Sequence, residues 1–380
     1  MRILFMVFHF PPISGGGVVV IVELLNKLAE LGHSVTVLTP ELDWSGEKYD
    51  PHINQTISVV KVPTPAKNNL KIAARRCYPS MKKKGIELAK KEKFDFVFSI
   101  FHPFHLVPKA AVECGKATGL PTLVKIDDAV YEKAAGLKSI QRKIEKIVNS
   151  KTLRQATRVL VSNVSTKDLV SEYYKVPKEK IGIIPNGVKL DYFTQSKHDT
   201  KKVVFSGAMY YHRGLDILLE AAPEIVRQVP DVRFVFLGSG PENDKLKEIV
   251  VQKNLQNHVS FEGWVEREKI PSYLAEGTIG IGPLRSTTVT KNALPIKVLE
   301  YMAASLPVIA MENTLPDDVL VDGKNGFIVK DASELAQKMS SLLQNDEERA
   351  KMGKNSLEMV KKFDWANVAN QIVDEYKKCV

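Results

Sequence analysis

The constraint that narrows the fold most is a rhythm of short, unbroken apolar runs, each followed by a stretch with helical spacing. Arg2 to Phe8 is continuous rather than alternating; Ile21, Leu24, Leu25, Leu28 and Leu31 then mark one helical face, Gly32 stops the helix, and Val35 to Leu38 supplies the next run. A strand that is apolar on both faces must be covered on both, the condition of a parallel strand flanked by crossover helices. The opening is therefore a βαβ unit. The same pattern predicts strands at Ile57 to Val62, Phe94 to Ile100, Pro121 to Ile126, Arg158 to Val161 and Ile181 to Ile184. After the turn Pro185-Asn186-Gly187 and a polar stretch, a second series predicts Val203 to Ser206, Val232 to Leu237, Val259 to Phe261, Ile279 to Gly282 and Val308 to Ala310.

The fold class that follows is α/β, with two doubly wound, Rossmann-like domains. The boundary is placed at 196/197, where charged and small polar residues replace the apolar periodicity. Ligands of open α/β sheets bind beyond the carboxyl ends of the strands, so two such domains are expected to face each other across the site, with its residues on loops that follow strands. At 380 residues and 44% apolar the chain has enough material for two cores. No apolar run reaches the ~18 residues of a membrane span, and the start lacks a secretory signal pattern. Cys77, Cys114 and Cys379 lie far apart without metal-type spacing, so a reducing, cytoplasmic location and no structural zinc are expected.

The 54 Lys and Arg outnumber the 44 Asp and Glu, a net charge of +10. From Lys67 to Lys93 ten basic residues, among them Lys71, Arg75, Arg76, Lys82, Lys83 and Lys84, face only Glu87 and Glu92, so this segment carries +8 of the total. Leu70, Ala73, Ala74, Cys77, Met81 and Leu88 recur there at helical spacing, broken near Pro79. Such a face can lie on anionic lipid at the inner membrane surface, or its apolar stripe can pack on the domain beneath a solvated basic surface. With one aromatic, Tyr78, and no recognition motif, the segment does not read as a nucleic-acid site.

Three places can carry chemistry. Gly15, Gly16 and Gly17 end the loop after the first strand and open a helix, where free N–H groups and the dipole suit a phosphate; a plain strand-to-helix turn has the same look. In the second half Gly207 follows a strand, and Arg213 stands just before a helix, where a guanidinium can hold a diphosphate or simply be solvated. Pro295 sets up a helix carrying Ile296, Lys297 and Glu300. A carboxylate on so apolar a helix needs a partner, either ribose hydroxyls or Lys297 three residues earlier.

Read together, the segments PPISGGG (11–17), LGHSVTVLT (31–39), IIPNGVKLDYF (183–193), GAMYYHRGLDILLEAA (207–222), VRFVFLGSGP (232–241), VSFEGWV (259–265) and LPIKVLEYMAASLPVIA (294–310) resemble, in order, the retaining family 4 glycosyltransferases of GT-B fold. The ending FDWANVANQIVDEYKKCV (363–380) is similar to that family's last helix, which crosses back to the N-terminal domain. The resemblance implies an acceptor-binding domain over 1–196, a nucleotide-sugar-binding domain over 197–362 and the returning helix over 363–380. It implies retaining transfer of a hexosyl unit from a nucleoside-diphosphate sugar to a hydroxyl, with no metal or other cofactor and with closure of the domains. The basic segment adds a lipid-linked or membrane-surface acceptor.

In that resemblance Arg213 takes the place of a diphosphate-binding Lys, Glu300 matches the second Glu of the EX7E motif on the ribose, Gly15 to Gly17 match the phosphate-facing loop, and Gly263, Trp264 and Val265 match the loop beside the base. Three positions depart from it: Asn292 stands where the first Glu of EX7E falls, Ala208 where an Arg often follows the glycine, and Asp127 where a His often faces the sugar. Lys297 is the candidate substitute for the missing phosphate contact, and Asp127 a candidate for orienting a sugar or acceptor hydroxyl. Asp127-Asp128 lacks the spacing of a DxD metal pair. His102 and His105 follow a strand as well, as loop or packing histidines or as a base. Two other classes remain at this point: a non-catalytic nucleotide-sugar binder, and an NAD-dependent oxidoreductase, which the absence of GxGxxG disfavours.

Overall fold

The computed structural model describes residues 1–46, 48–127, 137–287, 290–291 and 293–380, with the backbone alone for 137–139. Two compact units form, one from Met1–Gly187 with Trp365–Val380 and one from Val188–Asp364.

The first unit holds a seven-stranded, wholly parallel sheet made of β1 (Arg2–Met6), β2 (Ser34–Pro40), β3 (Ser58–Val62), β4 (Phe96–Ile100), β5 (Thr122–Ile126), β6 (Arg158–Val161) and β7 (Ile181–Ile183). Their order across the sheet is β3-β2-β1-β4-β5-β6-β7, so the direction of winding switches between β1 and β4. Helices Gly16–Glu30, Leu70–Arg76, Tyr78–Lys91, Val107–Thr118, Leu137–Gln155 and Val164–Tyr174 connect the strands. Helix Trp365–Lys377 belongs to this unit too: Trp365 is 1% exposed and donates from Nε1 to Glu23 Oε2 at 2.6 Å, and Tyr376 stacks on Phe96 with ring centres 4.8 Å apart.

The second unit holds six parallel strands, β8 (Lys202–Ser206), β9 (Arg233–Leu237), β10 (Val259–Gly263), β11 (Ile279–Ile281), β12 (Val308–Met311) and β13 (Gly326–Val329), ordered β10-β9-β8-β11-β12-β13. Neighbouring residues of one strand enter different cores, as the unbroken apolar runs require. Val203, Phe205, Phe234 and Phe236 pack with helices Leu215–Gln228 and Ala332–Gln344, whereas Val204, Val235 and Leu237 pack with helix Ile296–Ala303 on the other face.

Two details differ from the sequence reading. Residues 188–196 group with the second unit, because Val188 and Phe193 are buried in its core. Strand β13 has no counterpart in that reading: it is four residues long and begins on Gly326, too short to carry a periodicity of its own.

Candidate functional site

In the second unit the candidates gather at the carboxyl end of β8. Gly207, the residue after that strand, has φ +126 and donates its N–H to Leu237 O at 2.8 Å. A Cβ on Gly207 would stand 2.5 Å from Lys297 Nζ, so only glycine lets backbone and ammonium lie this close. Tyr301, one helical turn beyond Lys297, fixes the other side, its hydroxyl accepting from Ser206 N at 2.7 Å.

Lys297 is the unusual residue. Its Nζ is enclosed, has no hydrogen-bond partner among the described residues, and lies 4.0 Å from the centre of the Phe205 ring. Burial holds its pKa well below the usual lysine value, the Arg213 charge lowers it further, and Glu300 acts in the opposite direction. Arg213 sits in a short 3-10 turn, Tyr211–Arg213, closed by Gly214 at φ +70. That turn is pinned to the loop after β11: Leu284 N donates to Arg213 O at 3.0 Å, and Arg285 stacks 4.0 Å over Tyr211 while pairing with Asp216 at 2.5 Å. His212, beside both cations, has its pKa lowered to about 4, first by burial and then by Arg213 and Lys297.

Glu300 is 4% exposed, and its partner is neither Lys297 nor solvent: Arg267 Nη1 donates to its Oε1. The i,i+3 pair considered from the sequence is therefore replaced by a pair between the helix and the turn Arg267–Lys269. Gly263, at φ +67, accepts from Gly238 N at 2.6 Å at the end of β10. Trp264 beyond it is 50% exposed, whereas Val265 packs against the core under helix Ile296–Ala303. Ile296, first in that helix, is half-buried, and no side chain caps the helix start at Pro295. Ala208 is exposed, and Asn292 lies outside the described residues. A cavity of about 370 Å³ lined by Lys202, Arg233, His258 and Glu276 lies at the opposite, amino end of these strands and contains none of the candidates.

In the first unit Gly15, at φ +143, precedes helix Gly16–Glu30, whose start no side chain caps; Gly15, Gly16 and Gly17 are all exposed, with open space where a Cβ would stand. Asp127, after β5, is tied down through Oδ1, which accepts from Lys125 Nζ and from Ser162 Oγ at 3.1 Å. Lys125 is 1% exposed and also donates to Asn186 Oδ1 at 2.7 Å. Sequence reasoning missed Lys125 and Asn186, although a lysine inside an apolar strand is a signal: its needed carboxylate stands two residues on, on the same strand face. Asp128 lies outside the described residues. Among those residues no group of three or more His, Cys, Asp and Glu is arranged to hold a metal ion.

His102 and His105 do not stand alone. With His9 they form a cluster where the loops after β1 and β4 meet, beside the sheet's switch point, with ring centres 4.0 Å apart for His102 and His105 and 4.8 Å for His9 and His105. Burial lowers the pKa of His9 and of His102 to about 4 and that of His105 well below the ordinary value. His9 was missed because it sits at the end of an apolar run.

The basic segment forms helices Leu70–Arg76 and Tyr78–Lys91, with Lys71, Arg75, Arg76 and Lys83 exposed and Lys82 and Lys84 half-buried. Arg75 pairs with Glu145 at 2.8 Å, Lys82 with Glu113 at 2.7 Å and Lys84 with Glu87 at 2.5 Å. Ala73, Ala74, Cys77, Met81 and Leu88 are buried in the core beneath. This apolar stripe is packed on the domain and is not available to lipid. Among the described residues no helix is long and apolar enough to cross a membrane.

Comparison with known proteins gives the family and the fold. The profile of "Glycosyltransferase Family 4" matches residues 14–192, and that of "Glycosyl transferases group 1" matches residues 190–359. Spore coat protein SA of Bacillus subtilis is 30% identical over 191 residues, 48% of this chain and 50% of that protein, so this match spans about half of each. Alpha-monoglucosyldiacylglycerol synthase of Acholeplasma laidlawii is 24% identical over 379 residues, 91% of this chain and 89% of that protein. Among solved structures, Anabaena Alr3699/HepE in complex with UDP superposes with a TM-score of 0.75 at 15% identity, covering 100% of both chains. These matches set aside the oxidoreductase and the non-catalytic binder. Two parallel-sheet units, matched by these two profiles from residue 14 to residue 359, make the chain a transferase of the family 4 glycosyltransferases with the GT-B fold.

Proposed function

We propose that the protein transfers a hexosyl unit, with retention, from a nucleoside-diphosphate sugar to the hydroxyl of a lipid-linked or membrane-surface acceptor. The observation that carries the reading is Lys297: an enclosed ammonium without a hydrogen-bond acceptor among the described residues, held against Gly207 and within the field of Arg213. Such a cation is poorly matched to the empty protein and well matched to a diphosphate. Binding of UDP by the similar Anabaena protein supports the donor class.

In this reading the second unit holds the donor. Arg213 and Lys297 face the diphosphate, Glu300, anchored by Arg267, accepts from the ribose, and Gly263, Trp264 and Val265 flank the base. The C1–O bond to the β-phosphate breaks, the acceptor oxygen bonds C1 on the same face, and its proton passes to the departing phosphate oxygen. Negative charge grows on that phosphate as the bond breaks, so cations fixed in advance lower the barrier, and the reaction is written without a metal. The first unit holds the acceptor, with Asp127 receiving or orienting a hydroxyl and the glycine loop at 15–17 offering backbone N–H groups. The lipid-linked acceptor draws support from the Acholeplasma laidlawii relative, a diacylglycerol glycosylating enzyme by name, and from the basic surface around Lys71, Arg75, Arg76, Lys82, Lys83 and Lys84.

The test is Arg213→Ala. Turnover of a UDP-sugar is expected to fall about a hundredfold, with an unchanged circular dichroism spectrum; near-normal turnover would remove Arg213 from this role.

A further inference from the structure

Helix Leu137–Gln155 seats Leu153 in the core, but polar groups fill much of its inward face: Asn149, 5% exposed, donates to Pro103 O at 3.0 Å, Thr152 is 5% exposed, Arg142 lies 4.3 Å over the Phe104 ring, and Glu145 pairs with Arg75. Its outward face carries Ile140, Ile144 and Ile147, exposed by 57%, 58% and 69%. Steps of four and three residues set the three side chains in one line along the helix. A surface helix in water ordinarily has the opposite arrangement.

The surroundings of this ridge identify what covers it. Lys143, Lys151 and Arg154 are exposed on the same helix, and Lys146 lies half-buried beside the ridge, 4.0 Å over the Tyr173 ring. Glu145 is the only carboxylate from 140 to 155 and is bound to Arg75, which joins the ridge to helix Leu70–Arg76 with its exposed Lys71, Ile72, Arg75 and Arg76. An apolar line rimmed by cations is complementary to an anionic bilayer, where isoleucines enter the acyl boundary and lysines meet the phosphates. A second copy docked ridge to ridge would bring the same cations together.

We propose that Ile140, Ile144 and Ile147 form a membrane-insertion ridge and that an anionic lipid surface covers it. The proposal names the element that enters the bilayer and rests on the membrane-surface part of the functional reading, not on the donor site. The buried stripe of helices Leu70–Arg76 and Tyr78–Lys91 cannot do this, and those helices supply attraction only.

The full chain is to be sedimented with vesicles of equal parts phosphatidylglycerol and phosphatidylcholine, and with phosphatidylcholine alone. Binding is expected with the anionic vesicles only, and the triple variant Ile140→Ser, Ile144→Ser, Ile147→Ser is expected to bind them about tenfold more weakly or worse, with its melting temperature and UDP affinity unchanged. Ile144→Trp reports insertion independently through a blue-shifted emission on adding vesicles. Equal binding by the triple variant, an unshifted Ile144→Trp emission, no binding by the native chain, or a native dimer that the serines dissociate would each overturn the ridge as a lipid site. The UDP titration separates outcomes: lost vesicle binding with intact UDP binding concerns the ridge, and the reverse concerns the donor reading.

Discussion

In each unit a lysine stands near the carboxyl end of the strands, and the two are opposites. Lys125 on β5 is fully buried and paired, donating to Asp127 and to Asn186. Lys297, close to the end of β8, has an aromatic face beside it and no acceptor among the described residues. A buried charge with its acceptors in place fixes structure and orients a neighbour; one held without them lowers stability in exchange for a site prepared for an anion. In the proposed function the first positions Asp127, and the second is reserved for the ligand.

The contrast can be broken most decisively at Lys297. Lys297→Met keeps the length of the side chain and removes the charge. Turnover should fall about a hundred- to a thousandfold, while the ligand-free protein melts a few degrees higher because an unmatched cation is gone. A variant that is both less active and less stable would show that the ammonium is structural after all. Lys125→Met should do the reverse in the unliganded state, costing about 2–3 kcal/mol by removing the charged donor that Asp127 and the Asn186 carbonyl share. Calorimetric unfolding of the two variants beside the native protein reads the effect.

The parallel sheets were legible because strands buried on both faces leave an unbroken apolar trace, and the glycines after β1 and β8 marked the turns that follow those strands. What the sequence did not disclose were partners brought together by the fold. Arg267 reaches Glu300 from a different loop, and Asn186 reaches Lys125 across the sheet end. The stripe at Ala73, Ala74, Cys77 and Met81 was visible as a stripe, but periodicity does not tell whether a neighbouring element covers it. The isoleucines at 140, 144 and 147 have the same spacing and the opposite fate.

The histidine cluster sharpens the comparison from the acid side. His9 and His102 are neutral at neutrality, with pKa lowered from 6.5 to about 4 by burial. A group that protonates more readily when unfolded contributes stability that is complete above pH 6.5 and is lost as pH falls towards 4, at about 1.4 kcal/mol per pH unit for each proton taken up. A melting temperature followed over that window should drop, and His105→Leu should flatten part of the slope; a flat native profile would mean that the imidazoles already titrate freely.

The most direct test of the central claim is calorimetric titration of UDP into the native protein and into Lys297→Met at low and at high salt. The native protein should bind about tenfold more tightly or better and should lose more affinity as salt is added, because the variant lacks the cation that faces the diphosphate. Equal affinity and equal salt dependence in the two proteins would contradict the assignment of Lys297 to the diphosphate.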